Sequence, residues 1–289
     1  MTVYNLGSIN LDHIYQLAHL PAAGETLAAD GFVSMLGGKG ANQSIALARA
    51  GGSVHHIGAI GAGGQALLPV FEEAGIATDR IARLPGPQGH AIVMVDETSG
   101  ENQIILMPGS NLEITGAQLE DALAAAGPGD WALAQNETNL VDSWLRQAAE
   151  KGLKICYSAA PFVPDVTAGL LEITDLLIVN EGEAAALCAH QNCRPEELGL
   201  THLVITKGAA GADYIGRDEQ FSLPAPKIVP VDTTGAGDTF LGYMLAGLDR
   251  GLAVRAAMEL AIKASALMVT RHGTAEAIPT LAETEACKP

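Results

Sequence analysis

Cysteine is scarce in this sequence, with four in 289 residues: Cys156, Cys188, Cys193 and Cys287. Their irregular spacing is unlike a disulfide framework. Two of them lie near His190 and His202, but the spacing matches no zinc-binding pattern. We therefore expect ordinary structural thiols, without disulfides or zinc.

Positive charge is also scarce. Sixteen Lys and Arg residues stand against 33 Asp and Glu residues, which gives a formal net charge of −17. A surface this acidic repels nucleic acid and anionic membranes, so we expect neither as a partner. Any anionic ligand would need a locally positive site. Helix N-termini and Mg²⁺ can provide one without many basic side chains.

Long apolar segments are missing as well. The most apolar helical pattern, residues 256–269, contains Glu259 and Lys263 and is shorter than a membrane span. The first residues lack the basic start and the long apolar core of a signal peptide. We expect a cytoplasmic protein. Its 48% hydrophobic and 17% charged residues are typical of a globular chain with a sizeable core.

Strand-like and helical patterns alternate along most of the chain. The predicted strands are 54–61, 131–134, 154–157, 176–179 and 203–206. The predicted helices between them are 42–50, 67–74, 140–151 and 181–190. This alternation predicts an α/β fold with a mostly parallel sheet. We interpret residues 1–289 as a single domain.

Two segments, about 14–36 and 90–107, break this alternation. The first has no helical pattern and contains Pro21 and Gly24. The second predicts a hairpin, with strands 90–95 and 102–107 around a turn at 98–101. We expect these segments to form a small β lid over a ligand site.

The segment 232–240, Asp-Thr-Thr-Gly-Ala-Gly-Asp-Thr-Phe, joins a strand-like run at 227–231 to a helical pattern. Gly235, Ala236 and Gly237 would lie at a helix N-terminus, where their amides can approach an anion. Asp238 could then accept a proton from a hydroxyl held beside a phosphate. Alternatively, Asp238 is a plain helix cap on a Gly-rich turn.

Two further motifs, segments 37–42 and 7–12, lie near the N-terminus beside predicted helices or strands. Residues 37–42, Gly-Gly-Lys-Gly-Ala-Asn, could let a substrate approach the backbone, with Lys39 and Asn42 as donors. Their spacing is not that of a Walker A loop, and a simple tight turn is the alternative. In segment 7–12, the side chains of Asn10 and Asp12 would point to the same side of an extended backbone, which suits binding of a polyol. The alternative is an ordinary loop with turn-forming side chains.

The last two motifs lie where predicted strands meet helices or turns. Asn180 and Glu183 could meet a metal–phosphate unit, directly or through water, or could simply cap a helix. Segment 205–211 is a strand followed by a turn of small residues, which suits a nucleotide.

Together, in this order, the motifs resemble those of the ribokinase/PfkB-type family of sugar kinases, over residues 7–279. Residues 37–42 match its first signature and 232–242 its second. The resemblance implies a three-layer α/β/α sandwich with a mostly parallel sheet and a small β-sheet lid. It also implies an ATP-dependent phosphotransferase with an alcohol group as acceptor. Its ligands would be a small sugar, ATP, Mg²⁺ and, as in many relatives, K⁺.

The resemblance also assigns roles to single residues. Asp238 would be the catalytic base, and the amides of Gly235, Ala236 and Gly237 the anion hole. The implied sugar contacts are Asn10, Asp12, Gly38, Lys39, Asn42 and Glu137, with Asp238 beside them. The implied nucleotide and Mg²⁺ contacts are Asn180, Glu183, Thr206, Gly208, Gly211 and Gly237. The implied K⁺ ligands, mostly backbone carbonyls, are Asp232, Thr234, Met268, Arg271 and Gly273.

Segments 7–12, 37–42 and 269–273 are most similar to ribokinases, which implies D-ribose phosphorylated at its 5-hydroxyl. Fructose or another ketose, a sugar acid or a nucleoside stays open as the substrate, as does a non-catalytic sugar or nucleotide sensor. Five Phe and five Tyr leave little aromatic surface for a nucleobase, which favours a bare sugar. Exposed lid edges, and the pairing of lids in this family, predict a homodimer.

Three positions depart from the family pattern. Residues 61–66 replace the usual Gly-x-Asp-x-x-Gly, and the following helix looks shortened, which could alter the lid. Ala277 stands where ribokinases often have Ser near the cation, which weakens the inference of K⁺. Tyr243 occupies a normally small position and could alter helix packing.

Overall fold

Two β-sheets and a set of surrounding helices make up the chain. The computed structural model describes residues 1–96, 98 and 101–287. Within these residues the strands are β1 (Thr2–Leu6), β2 (Asn10–Leu17), β3 (Gly31–Gly37), β4 (Ser53–Ala62), β5 (Ile81–Pro87), β6 (His90–Asp96), β7 (Asn102–Met107), β8 (Trp131–Gln135), β9 (Lys154–Ser158), β10 (Leu176–Asn180), β11 (His202–Thr206), β12 (Ala212–Gly216) and β13 (Gln220–Leu223). The helices are α1 (Lys39–Arg49), α2 (Leu68–Glu73), α3 (Gly116–Ala125), α4 (Val141–Glu150), α5 (Pro164–Leu170), α6 (Glu181–Gln191), α7 (Ala236–Asp249), α8 (Val254–Met268) and α9 (Leu281–Ala286).

The large sheet has the order β13-β12-β11-β10-β9-β8-β1-β4-β5. All pairs from β5 to β11 are parallel, and β12 and β13 add antiparallel strands at one edge. The strand β8 is buried along its whole length because helices cover both faces of the sheet. The predicted α/β/α sandwich with a mostly parallel sheet is therefore confirmed.

Separate hydrophobic clusters lie on the two faces of this sheet. One contains Ile45 of α1 and Met244 of α7. The other contains Trp144 of α4 and Leu187 of α6. The first cluster places α1 beside α7, and these two helices begin within the two signature segments.

The small sheet has the order β3-β2-β6-β7 and confirms the predicted second sheet. It is antiparallel except for the β2–β6 pair, which is parallel. Residues 99 and 100 of the predicted hairpin turn, and residue 97 before it, lie outside the described residues. The first strand of the small sheet along the chain is β2, which begins at Asn10, earlier than the predicted start at about residue 14. Asn10 and Asp12 therefore belong to the small sheet.

One predicted strand is wrong. Residues 224–230 have no regular structure, and the side chain of Val229 is 85% exposed. Pro224, Pro226 and Pro230 have no backbone N–H to donate to a sheet, which explains the failure despite the apolar sequence.

The shortened helix expected after residue 66 is present. Gly63 has a positive φ of 90°, a 3₁₀ turn covers Gly64–Leu67, and α2 has only six residues. Among the helices of the described ranges, none combines the length and apolar character of a membrane span.

Candidate active site

The N-terminus of α7 is open. Gly235, at the N-cap, has a φ of 79°, and a Cβ there would lie 3.0 Å from the Cε atom of Met268. No side chain caps this helix, and a Cβ on Gly237 would meet only open space. The Ala236 amide already donates to the carbonyl of Thr233 at 3.2 Å. An anion could therefore approach the helix end near Gly237, where the helix dipole favours negative charge.

Asp238 is the third residue of α7, and its side chain turns towards α1. Its Oδ1 accepts a hydrogen bond from Gln43 Nε2 at 2.8 Å, and its Oδ2 accepts one from Asn42 Nδ2 at 3.2 Å. The alternative of a plain helix cap therefore does not describe this geometry. Burial raises the pKa of Asp238, whereas the charge of Lys39 and the two amide donors oppose the rise. Asp238 is therefore a buried carboxyl group whose two oxygens each accept from an amide donor.

Close backbone contact fixes the start of α1. A Cβ on Gly40 would lie 2.3 Å from Gly7 Cα, so only glycine allows α1 to begin against the end of β1. Gly38, the N-cap, has a φ of 90°. This contact fixes the position of Lys39, whose pKa is raised chiefly by the charge of Asp238, with burial acting against the rise.

Glu137 lies just after β8 and is anchored by two donors. Its Oε2 accepts hydrogen bonds from Ser8 Oγ at 2.6 Å and from the Lys39 amide at 3.0 Å. Its Oε1 is 4.0 Å from Lys39 Nζ. The predicted sugar residues Gly38, Lys39 and Glu137 therefore lie together, although almost a hundred residues of sequence separate Glu137 from the other two.

Asp12 extends from β2 over the backbone of β3. A Cβ on Gly37 would lie 1.9 Å from Asp12 Oδ2, so the carboxylate occupies the space that Gly37 leaves. The Oδ1 atom is buried, and it has no hydrogen-bond partner among the described residues. Burial, followed by the charge of Glu137, raises the pKa of Asp12 to about 7, and Lys39 lowers it. An unpaired buried carboxyl oxygen needs a donor, such as the hydroxyl of a bound polyol.

Asn111 sets the orientation of Asn10 and was not found from the sequence. The Ile9 amide donates to Asn111 Oδ1 at 2.9 Å, and Asn111 Nδ2 donates to Asn10 Oδ1 at 2.7 Å. The Asn10 oxygen is thereby engaged, and its Nδ2 is left as a donor for a ligand. Gln43 was missed too, although it follows Asn42 directly in the first signature.

A cleft of about 400 Å³ lies beside the N-terminus of α7. The four predicted nucleotide residues Thr206, Gly208, Gly211 and Gly237 all line it, together with apolar side chains from α7 and α8. Such a cleft suits a flat, largely apolar ring with a charged tail near the helix end.

Asn180 and Glu183 do not line this cleft. They form a capping box, in which the Asn180 amide donates to Glu183 Oε2 at 2.8 Å and the Glu183 amide donates to Asn180 Oδ1 at 2.9 Å. The capping alternative therefore describes their contacts in the free chain. Glu183 is still close enough to Lys39 to raise its pKa.

Asp232 connects the two segments that carry the predicted K⁺ ligands. Its Oδ1 accepts from the Thr234 amide at 2.9 Å, and its Oδ2 accepts from the Gly273 amide at 3.2 Å. The side chains of Met268 and Arg271 are engaged elsewhere, with Thr239 Oγ1 at 2.9 Å and Glu283 Oε1 at 2.7 Å, respectively. Only their carbonyls could serve a cation, and backbone carbonyl oxygens are ligands that suit K⁺.

No group of three or more His, Cys, Asp or Glu side chains within residues 1–96, 98 and 101–287 could hold a metal ion. Within the same residues, Cys156, Cys188, Cys193 and Cys287 are free thiols.

Two of the departures from the family pattern are buried. Tyr243 donates to the carbonyl of Pro279 at 2.6 Å and accepts from Thr284 Oγ1 at 3.3 Å, so it joins α7 to the C-terminal segment. Ala277 is 2% exposed in a 3₁₀ turn and brings no hydroxyl to the predicted cation site.

Comparison with known proteins identifies the family. Residues 2–281 match the model of the pfkB family carbohydrate kinases. The chain is 32% identical to ribokinase of Lactococcus lactis, with 97% of this chain and 95% of that protein covered. It is also 32% identical to ribokinase of Bacillus subtilis, with 97% of both proteins covered. The crystal structure of ribokinase from Cryptococcus neoformans in complex with ADP has a TM-score of 0.84 and 30% identity, and it covers 98% of both chains. The chain therefore belongs to the pfkB family of carbohydrate kinases.

Proposed function

We propose that this carbohydrate kinase transfers the γ-phosphoryl group of ATP to the 5-hydroxyl of D-ribose. One observation carries the proposal: a buried carboxylate, Asp238, lies at the open end of α7, beside the cleft and within electrostatic reach of Lys39 and Glu137. The ribokinases of Lactococcus lactis and Bacillus subtilis, each 32% identical over nearly the whole chain, support ribose as the acceptor.

In this proposal Asp238 takes the proton from the attacking hydroxyl. Its hydrogen bonds to Gln43 and Asn42 hold the carboxylate in place. The free amides at the start of α7, around Gly237, would bind the transferring phosphoryl group. Phosphoryl transfer depends mainly on positioning and on stabilising charge, and both are supplied here by groups fixed before the substrate arrives.

Two cations would add charge to this arrangement. Mg²⁺ bound to the ATP phosphates supplies charge neutralisation, and Glu183 would hold it through water. K⁺ would be held by Asp232 and by the carbonyls of Thr234, Met268, Arg271 and Gly273.

The polar groups of the sugar pocket favour a neutral polyol over a sugar acid. Asn10 offers an amide donor, and Asp12 and Glu137 offer carboxylate oxygens. Glu276 adds a further negative charge that reaches Asp12, and Lys39 is the cation that balances them. A substrate carboxylate would face three acidic side chains, which disfavours its binding.

We also propose that the small sheet pairs with a second copy of this chain. Phe32, opposite Tyr15, and Ile105, opposite Ile92, are both 58% exposed. They lie on the sheet face opposite to Asp12, since neighbouring side chains of a strand alternate between faces. Sedimentation equilibrium should report a dimer for the wild type and a monomer for Ile105→Lys. A monomeric wild type would contradict the pairing.

Coupled ADP release with ribose, 2-deoxyribose, fructose and adenosine as acceptors tests the function. We expect the highest kcat/KM with ribose, and a fall in kcat of about 10²–10⁴ in Asp238→Asn, the range for loss of a positioned base. Asp249→Asn, at the other end of α7, is the matched control and should keep its kcat. Turnover with none of the acceptors would overturn the kinase function and favour a binding protein, whereas full activity of Asp238→Asn would overturn the role of Asp238 as the base.

A further inference from the structure

A continuous line of buried polar side chains leads away from Asp238 into the protein. Gln43 Nε2 donates to Asp238 Oδ1 at 2.8 Å, and Gln135 Nε2 donates to Gln43 Oε1 at 2.7 Å. Gln135 Nε2 also donates to Asn5 Oδ1 at 2.9 Å. Gln43, Gln135 and Asn5 are each at most 1% exposed. We name these three side chains, together with Ser44 and His56, the amide chain.

The end of the amide chain that lies farthest from Asp238 is hydrogen-bonded to backbone carbonyls. Asn5 Nδ2 donates to the Gly40 carbonyl and to Ser44 Oγ, both at 2.9 Å. Ser44 Oγ is 2.9 Å from His56 Nδ1, and His56 Nε2 is 3.1 Å from the Gly7 carbonyl. Since a carbonyl can only accept, His56 carries its proton on Nε2, and Ser44 donates to Nδ1. Burial lowers the pKa of His56 to about 4, so it stays neutral at ordinary pH.

These acceptors fix the direction of every amide between them. The Gly40 carbonyl requires the nitrogen of Asn5, so the Asn5 oxygen must face Gln135. Gln135 therefore presents its nitrogen to Asn5 and also to Gln43. Gln43 in turn must present its nitrogen to Asp238. If Gln43 alone were reversed, its oxygen would face the carboxylate and its nitrogen would face that of Gln135, and both contacts would be lost.

This arrangement distinguishes between the two protonation states of Asp238. The carboxylate accepts from both of its amide neighbours, Gln43 and Asn42. At Oδ1 a protonated Asp238 would meet the nitrogen of Gln43, whose direction the chain fixes, and would find no acceptor there. The Asn42 amide at Oδ2 is not held in this way, because no partner is found for its Oδ1 among the described residues. The amide chain therefore opposes the effect of burial, which raises the pKa of Asp238.

We propose that Gln43 and Gln135 are positioning residues that keep Asp238 ionised and oriented as the base, Gln43 by direct donation and Gln135 by fixing the direction of the Gln43 amide. The inference rests on the proposed function, in which Asp238 is the base. The charged groups that face Asp238 are Lys39, which favours the carboxylate, and Glu137, which disfavours it. Gln43 Nε2 also donates to Ser158 Oγ at 3.2 Å, which holds the amide from a second side.

The test compares Gln43→Met and Gln135→Met with Gln147→Met. Gln147 lies on α4 and donates to Ser143, so its replacement is a matched control for the loss of a glutamine. The pKa of Asp238 is followed by ¹³C NMR of the labelled aspartate carboxyls, with its signal assigned through Asp238→Asn. The acidic limb of the pH profile of kcat/KM is measured in parallel.

We expect the pKa of Asp238 and the acidic limb to rise by about one unit in Gln43→Met, as for one lost donor to a buried carboxylate. Gln135→Met should shift both in the same direction by a smaller amount, and Gln147→Met should shift neither. A merely structural role would lower stability and leave both values unchanged. Gln135 does not touch Asp238, so its variant decides the question if Gln43→Met does not fold.

The two proposals fail separately. Folded variants of Gln43 and Gln135 that keep the wild-type pKa of Asp238 would overturn the role of the amide chain and leave the kinase function intact. A wild type without turnover would overturn the kinase function, whereas the NMR titration would still measure the effect of the chain on Asp238.

Discussion

Sugar binding should release a proton from Asp12. This carboxyl has a pKa of about 7 in the free chain, because burial and the charge of Glu137 disfavour its ionised form. Its Oδ1 is buried and unpaired. Sugar hydroxyls are donors that pair with the ionised carboxylate, so we expect the sugar to bind that form and to lower the pKa.

The size of the effect follows from the pKa of about 7. About one Asp12 in eleven is ionised at pH 6 and about ten in eleven at pH 8. If the sugar binds the ionised form, the Kd at pH 6 is about tenfold larger than at pH 8, because affinity scales with the competent fraction. Binding at pH 6 should then release about 0.9 proton per sugar.

Isothermal titration in two buffers of different ionisation enthalpy measures both the Kd and the proton count. Asp12→Asn should bind more weakly and lose the proton release, whereas Asp249→Asn, another carboxyl with a raised pKa, should behave as the wild type. Equal wild-type affinity at pH 6 and pH 8, with no proton released, would refute the reasoning.

The same pKa shift has a consequence for stability. The folded-state pKa of Asp12 lies above the ordinary aspartate value of 3.8, so the folded chain binds more protons than the unfolded chain between about pH 4 and pH 7. The contribution of Asp12 to the free energy of unfolding is therefore present below pH 4 and is lost as the pH rises to 7. Asp12→Asn should remove this part of the pH dependence in urea titrations.

Three further substitutions, with one control, test the packing of the chain. Gly40→Ala places a Cβ within 2.5 Å of backbone atoms, so we expect a loss of about 1–3 kcal/mol in urea unfolding and a lower kcat. Gly169→Ala is its control. A Cβ at Gly169 would meet no neighbouring atom within 4 Å, so this substitution should not destabilise the chain. Gly211 has a φ of 101°, and a Cβ there would lie 1.9 Å from the carbonyl oxygen of Leu223. Gly211→Ala should therefore raise the KM for ATP and leave the KM for ribose unchanged. Tyr243→Phe leaves a buried carbonyl without its donor and should cost about 1–3 kcal/mol of unfolding free energy with little change in kcat.

Regular elements could be predicted where local pattern and burial agree. The strands β8 and β10 are buried on both faces, so their apolar sequence is sufficient to identify them. Residues 227–231 have a similar apolar sequence but follow Pro226, contain Pro230 and stay outside both sheets. There the missing N–H groups override the apolar pattern.

The candidate site could be predicted in part. For segment 232–238 the local pattern allowed either an anion site at a helix N-terminus or a plain cap on a Gly-rich turn, and the hydrogen bonds of Asp238 in the folded chain are not those of a cap. For Asn180 and Glu183 the local pattern allowed either a helix cap or a metal–phosphate contact. Their contacts in the folded chain are those of the cap.

The sequence by itself determined the order of strands and helices, the glycine turns and the residue types at the site, since these depend on neighbours close along the chain. Only the tertiary structure decided which polar groups meet. Gln43 and Asp238 are 195 residues apart, and Asn10 and Asn111 are 101 residues apart, yet each pair shares a buried hydrogen bond. Such pairs form because helices and strands pack side by side, and a buried polar group must then find its partner across the packed interface.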